Sequence, residues 1–326
     1  MRKIELVNSN KNEMISIEDT LNVLLEQANT YVANSKSANT KKSYHFDWNH
    51  FSNWCEEYQL PSLPTNDETY ALYLSSLAFE GYKASTIQRR ISSISKAHAM
   101  AGHSSPTTIK IKSVWAGIKR MHGSEEIGKQ PLVIDYLKQI LEIIPDKPLG
   151  YRDRAILLIG FSGAFRRSEL VDLDVEDITL ENEGLKIRIK SSKTDQDGKG
   201  SMIGIPYGSS EETCPVRSYL HWLREANITS GPVFRRVNRH NQVLDNRLTD
   251  KAIAIVVKRY VAEIGLDEKQ FSGHSLRSGF ATTAAMKGKT ERQIMNQTRH
   301  RSDAMVRKYI RMGSLFIDNA ASGLGL

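Results

Sequence analysis

Cysteine is scarce: two residues in 326, Cys55 and Cys214, with no CxxC pair and no Cys/His ligand spacing. That excludes a disulfide framework, argues against a structural zinc site and fits a reducing compartment. No apolar run approaches the ~20 residues that span a bilayer. The opening stretch, MRKIELVNSNKNEM, lacks the apolar segment of a signal peptide. The expectation is a soluble cytoplasmic protein. No internal repeat is present. Acid is missing locally: from Gly81 to Gly123 there is no Asp or Glu. Basic residues are plentiful, 45 Lys and Arg against 37 Asp and Glu for a formal charge of +8, and such an excess suits a polyanionic partner.

The length suggests two domains, since single cores rarely keep growing at this size. Residues 1–16 are polar and read as a flexible N-terminus. From Ile17 the spacing turns helical, with Leu21, Leu24, Leu25, Ala28 and Tyr31 on one stripe. Tyr44, Trp48, Phe51, Cys55 and Tyr58 recur at threes and fours and predict an amphipathic helix with an aromatic core face. Pro61 and Pro64 end it. Tyr70, Leu74 and Leu77 mark a third helix, and Ile87, Ile91 and Ile94 a fourth with Ser85 or Thr86 as N-cap. Thr107 to Met121 reads as a fifth. Residues 17–122 therefore read as a helical bundle. Its acid-free stretch carries Lys83, Arg89, Arg90, Lys96, Lys110, Lys112, Lys119 and Arg120. A solvated helix face normally mixes signs, so this run is expected to face a phosphate backbone.

Residues 123–131 read as a linker, polar and without periodicity. Beyond it, IDYLKQILEII, YRDRAILLIGFSGAF, PVRSYLHWLREA and LTDKAIAIVVKRYVAEIG predict helices. LKIRIK and SMIGIPY alternate as strands around the turn-rich SSKTDQDGKG, and ITL at 178–180 offers a third. Residues 132–326 are thus expected to be a mixed α+β domain with one small antiparallel sheet.

The chemistry concentrates in FSGHSLRSGFATTAAMKGKTERQIMNQTRHRSDAMVRKYIR, residues 271–311. His274 and Arg277 share a face of a helix starting near Ser275. His300 lies nine residues before Tyr309, which sits in a last helix that Ser302 or Asp303 can cap. No acidic cluster accompanies them, so these groups do not form a metal site. Guanidinium forks grip phosphate oxygens, imidazoles donate or move protons near neutrality, and a phenol can attack as a covalent nucleophile. The combination suits attack on a phosphodiester, with arginines carrying the charge a metal would otherwise carry. Each residue alone is weak: most helical tyrosines and most histidines are structural. The four together are what make the site.

GHSLR, then RH, then a tyrosine nine residues on resembles the C-terminal signature of the tyrosine recombinase (phage integrase) family, Cre/Xer-like members included. GAFRRSEL matches its first box, with Arg166 as the catalytic arginine in the G-x-x-R-x-x-E-L register, Arg167 as its neighbour and Glu169 as the supporting acid. Lys193, at the hairpin tip, fits the family's catalytic lysine better than Lys190 or Lys199. Thr40 to Tyr44 and the W-x-x-F helix after them resemble the family's SAM-like core-binding domain. One departure stands out: many members carry Leu-Gly before the second histidine, and this chain carries Thr298-Arg299. The resemblance implies a site-specific DNA recombinase for integration, excision, inversion or resolution. Tyr309 would form a 3′-phosphotyrosyl link, Arg166 and Arg277 would clamp the phosphate, and Lys193 would protonate the leaving 5′ oxygen. His274 would handle the tyrosine proton and His300 would hydrogen-bond the phosphate. It implies no cofactor, neither metal nor ATP, and a homotetramer joining two double-stranded sites with inverted repeats. It further implies a cytoplasmic, nucleoid-associated location.

Competing readings are a type IB topoisomerase or telomere resolvase, which share related chemistry, and a DNA-binding protein without catalysis. The compact N-terminal part favours the recombinase, and no catalytic residue is missing. A metal nuclease through Glu169, Asp172, Asp174, Glu176 and Asp177 is disfavoured, because ELVDLDVEDI reads as a helix end and turn. Only some 16 residues precede the first helix, which points away from an arm-binding domain. The tail carries Leu315, Phe316 and Ile317, and docking on a neighbouring protomer and packing on its own domain stand level.

Overall fold

The computed structural model describes residues 17–34, 38–123, 128–190, 200–300 and 303–313. The polar start at 1–16, Lys193, Lys199, Ser302 and the tail with Leu315, Phe316 and Ile317 lie outside the described residues. The chain divides into two compact units, Met1–Ile127 and Gly128–Leu326. Among the described residues no helix is long and apolar enough to cross a membrane.

The first unit is helical: α1 (Ile17–Asn34), α2 (Ala38–Glu57), α3 (Asp67–Phe79), α4 (Ala84–Met100) and α5 (Ile109–His122). Phe51 and Cys55 of α2 meet Tyr70, Leu74 and Leu77 of α3, Ile87, Ile91 and Ile94 of α4 and Ile111 of α5 in one core. Phe51 and Tyr73 stack edge-on with ring centres 4.8 Å apart, a favoured aromatic geometry. Asn66 caps α3 through Thr69 N–H, and Thr108 caps α5. At α4 the cap differs from expectation: Lys83 takes the position without a side-chain bond, two residues before Ser85. The apolar stripe of α1 also departs from its expected role. Leu21, Leu24, Leu25 and Tyr31 form the helix but stay more than half exposed, because no described helix covers them.

The acid-free run divides in two. Lys83, Lys96, Lys110, Lys112, Lys119 and Arg120 are exposed, and among the described residues they make no ion pair. Arg90, expected on the phosphate-facing surface, is instead 2% exposed. It packs over the Tyr82 ring at 4.2 Å with Nε 3.7 Å from Asp47. Arg89 donates from Nε and Nη2 to the same carboxylate at 2.7 and 2.9 Å. Asp47 is fully buried and sits on α2, outside the stretch whose charge balance suggested a bare basic face. One acid from a neighbouring helix thus holds two of the eight cations.

The second unit begins with a segment docked on its own body. Leu132 N–H donates to Ser275 O at 2.9 Å and Gln130 N–H to Gln270 O at 2.7 Å. Gln130, within the expected linker, is thus hydrogen-bonded to the second unit. Gly279 permits that docking, since a Cβ there would stand 1.9 Å from the Leu132 carbonyl oxygen. The body comprises α6 (Ile134–Ile143), α7 (Pro148–Ser162), α8 (Arg167–Val171), β1 (Ile178–Glu181), β2 (Gly184–Ile189) and β3 (Ser201–Pro206). It continues through α9 (Pro215–Glu225), β4 (Arg235–Val237), β5 (Val243–Arg247), α10 (Asp250–Glu263), α11 (Ser275–Met286), α12 (Glu291–Thr298) and α13 (Asp303–Gly313). Helix α7 lies deep in the unit, with Ala155 through Ile159 inside the core.

Strands β1, β2 and β3 form an antiparallel sheet whose Leu185, Ile187, Ile189, Ile203 and Ile205 point into that core. The antiparallel pair β4 and β5 is a second sheet where one was expected. Its strands are short and arginine-rich, so apolar alternation does not announce them.

Asp47→Ala would strand a buried guanidinium without its counter-charge. The expected loss is about 3–5 kcal/mol, measured by urea unfolding of the whole protein. A loss confined to salt-dependent DNA affinity would contradict it.

Candidate active site

Helix α7 ends at Ser162, and the chain turns sharply through Gly163 and Ala164, the latter at φ 46°. A side chain at Gly163 would meet the Phe165 ring at 2.2 Å, so this turn needs glycine. Phe165 then plugs the core, and Arg166 stands extended as the N-cap of α8. Glu169, one turn into α8, is 3% exposed. Its carboxylate accepts the Arg166 backbone N–H at 3.0 Å and the Arg166 guanidinium. It also accepts Nη2 of Arg299 at 2.9 Å. Burial alone would raise the Glu169 pKa, but Arg299 and Arg166 outweigh it and hold the acid below its ordinary range.

Arg277, in the first turn of α11, has no solvent exposure. Nη1 donates to Ala164 O at 2.7 Å. Its Nε and Nη2 have no protein partner among the described residues. Burial, then the Arg166 and Arg299 charges, push its pKa down to about 9. It remains a cation at neutral pH. A buried cation with two open donors is costly unless an anion completes it.

His274 precedes α11 and lies 3.2 Å from Tyr309 Oη through Nε2. Burial, followed by Arg277, Arg166 and Arg167, lowers its pKa below the ordinary imidazole value. The ring is neutral at pH 7, and Nε2 can accept the phenol proton. Tyr309 itself is 7% exposed and packs from α13 against Ala281, Ala285, Ile294 and Val306. Burial raises its pKa, and Arg277 works against that. The His300 ring centre is 6.0 Å from that of Tyr309. Thr298 donates its hydroxyl to Ile294 O at 2.7 Å and stands 2.7 Å from His300 Nδ1. With that hydrogen spent, Nδ1–H is the donor to Thr298 and the lone pair of the neutral ring sits on Nε2. Burial, then Arg277, Arg166, His274 and Arg299, push the His300 pKa down to about 3.

The structure thus gathers Arg166, Glu169, His274, Arg277, His300 and Tyr309 around one point. Lys193 lies outside the described residues. Lys190 is occupied, with Nζ 2.9 Å from Asp174 and 2.7 Å from Asp177. Asp174 also binds Arg247, and Glu176 accepts Gly231 N–H. These carboxylates of the metal-nuclease reading are spent on protein partners, and among the described residues no group of three His, Cys, Asp or Glu could hold a metal. Sequence reasoning missed Arg299 as a member of the cluster. The Thr298-Arg299 departure from the family pattern carried no sign that the Arg299 side chain reaches the Glu169 carboxylate.

Residues 132–314 match the phage integrase family, and residues 29–104 match the phage integrase, N-terminal SAM-like domain. An integrase/recombinase xerD homolog of Selenomonas ruminantium is 40% identical over 95% of this chain and 91% of its own length. The tyrosine recombinase XerC of Syntrophus aciditrophicus is 29% identical over 84% of this chain and 87% of its own. In fold, the chain resembles the Tn1549 transposon integrase in complex with transposon right end DNA, with TM-score 0.62, 15% identity, and 84% and 89% coverage of the two chains. It also resembles the XerH recombinase bound to palindromic difH substrate, with TM-score 0.59, 20% identity, and 77% and 70% coverage.

A histidine with a depressed pKa binds fewer protons folded than unfolded. Its stabilisation is therefore complete above the unfolded value of 6.5 and falls as pH drops toward about 3. Between about pH 6.5 and 5, His300→Asn should flatten the loss of stability of the DNA-free protein by up to about 1.4 kcal/mol per pH unit. An unchanged slope in urea unfolding would show that His300 is not buried neutral.

Proposed function

The chain belongs to the phage integrase family and is a tyrosine-type site-specific DNA recombinase, and we propose that its strand exchange runs through Tyr309 with Arg166, His274, Arg277 and His300 around the scissile phosphate. The observation that carries this reading is Arg277: a fully buried guanidinium with two donors unpartnered among the described residues, beside a phenol whose Oη lies 3.2 Å from an imidazole nitrogen. A phosphodiester supplies the missing acceptors.

Neutral His274 takes the Tyr309 proton as Oη forms a bond to phosphorus. The bond from phosphorus to the 5′ oxygen breaks, and that oxygen takes a proton from Lys193. The product is a 3′-phosphotyrosine and a free 5′-hydroxyl. Because the ester energy is kept, a 5′-hydroxyl from another strand reverses the step. Arg166 and Arg277 offset the charge that develops on the non-bridging oxygens. The phosphate also favours a proton on His300 Nε2, turning it into a donor.

The partner is double-stranded DNA. The exposed lysines of α4 and α5 supply backbone contacts in the first unit. We place two inverted-repeat sites and four protomers in the working complex, as the family resemblance implies; the XerH recombinase of similar fold is bound to a palindromic substrate.

Nicked duplex tiled from the DNA flanking its gene, incubated in EDTA, should yield a covalent protein–DNA band on a denaturing gel. Tyr309→Phe should abolish the band while DNA binding persists; a band from that variant would assign the nucleophile elsewhere. Replacing both Lys112 and Lys119 with Gln should reduce the slope of log affinity against log salt by about 0.9 for each phosphate that is no longer neutralised. An identical slope would take α5 off the DNA.

A further inference from the structure

Arg299 occupies a position that arginine does not favour. It closes α12 in the left-handed region, φ 56° and ψ 38°, with its N–H donating to Met295 O at 2.7 Å. Glycine takes such a helix end without steric cost, whereas a residue with a Cβ does not. The side chain is nevertheless largely buried and held by four acceptors. Nη1 donates to Gly163 O at 3.0 Å and Gln297 O at 2.9 Å. Nη2 donates to Ala164 O at 3.2 Å and Glu169 Oε2 at 2.9 Å. The Phe165 ring centre lies 5.3 Å from the guanidinium carbon.

We propose that Arg299 is a positioning residue for strand cleavage, fixing from α12 the two acceptors that place the phosphate-binding arginines. Those acceptors are shared. Ala164 O accepts from both Arg277 Nη1 and Arg299 Nη2. Glu169 Oε2 accepts from both the Arg166 N–H and Arg299 Nη2. Arg299 thus touches what holds Arg166 and what holds Arg277, without standing in the place of either.

Electrostatics adds a second reason. Without Arg299, Glu169 would have Arg166 as its one guanidinium partner and would neutralise it. With Arg299 present, the carboxylate is divided between two cations, and more of the Arg166 charge remains for a phosphate. Three guanidinium groups against one carboxylate leave two positive charges, which suits a pentacovalent phosphorane carrying two negative ones. The backbone at 299 also turns the chain into His300, and glycine keeps that turn. Arg299→Gly therefore removes the side chain while leaving the path to His300 intact.

This inference rests on the proposed roles of Arg166, Arg277 and Tyr309, and the experiment separates the two. Single-turnover formation of the covalent band is timed on nicked duplex for the unaltered protein, Arg299→Gly, Glu169→Gln and the double variant. DNA affinity is measured by gel shift and the melting temperature by calorimetry. Arg299→Gly should slow adduct formation on the order of 10- to 100-fold, with affinity within about threefold and a single cooperative melt. Glu169→Gln should cost less in the Arg299→Gly background than alone, because the two side chains act as a unit.

Cleavage at the unaltered rate would overturn the proposal. So would a loss of affinity parallel to the loss of rate, or independent multiplication of the two effects. If Arg299→Gly does not fold, Arg299→Gln reads the same rate, since it can still donate to a carbonyl but carries no charge. A protein that forms no adduct before any substitution, or forms it with Tyr309→Phe, would overturn the reading of the site itself.

Discussion

Burying guanidinium groups beside one another is expensive, and the catalytic unit does so with three of them around a single acid. Glu169 is what makes that arrangement tolerable. Its carboxylate caps α8, which fixes where Arg166 leaves the backbone. It also accepts Arg299 from the far end of α12, which ties the middle of the unit to its C-terminal helices. Arg277 gains no acceptor from it and instead takes the Ala164 carbonyl, made available by the left-handed turn before Arg166. A site that leaves one cation incompletely partnered is organised for an incoming anion. On the proposed function, a DNA phosphate supplies the acceptors that Arg277 lacks among the described residues.

The first unit shows the same physics settled differently. Asp47 is buried and accepts Arg89 with two bonds, and Arg90 lies beside it under Tyr82. Here a buried carboxylate stands beside both cations and serves cohesion, although Arg90 Nε and Nη1 have no hydrogen-bond partner among the described residues. The lysines of α4 and α5 have no such acid among the described residues and remain in solvent. Arg90 has a carboxylate paired with it and Arg277 has none among the described residues, a difference that charge counts along the chain do not report.

That difference explains what could be read from sequence. The cluster that the structure gathers could be proposed because its members stand at fixed spacings at or just before helices, in an order that resembles a family pattern: His274 and Arg277 three apart, His300 and Tyr309 nine apart, Arg166 and Glu169 three apart. The helices of both units were legible from apolar periodicity. Arg90 was misplaced because its partner, Asp47, sits some forty residues earlier on another helix. The β4–β5 pair escaped notice because Arg235, Arg236, Asp245, Asn246 and Arg247 are five of its eight strand residues. Arg299 was visible as a departure from a family pattern, but its contact with Glu169 joins positions 130 residues apart, and spacing has no access to that.

The pairing of Tyr309 with His274 has a genetic meaning. On the proposed roles, nucleophile, base and phosphate-binding arginines all belong to one compact unit of one chain. A subunit changed at Arg277 and another changed at Tyr309 would then have no missing part to lend each other. Lesions at these two positions would fall into a single complementation group, and cells expressing both altered alleles would remain recombination-negative.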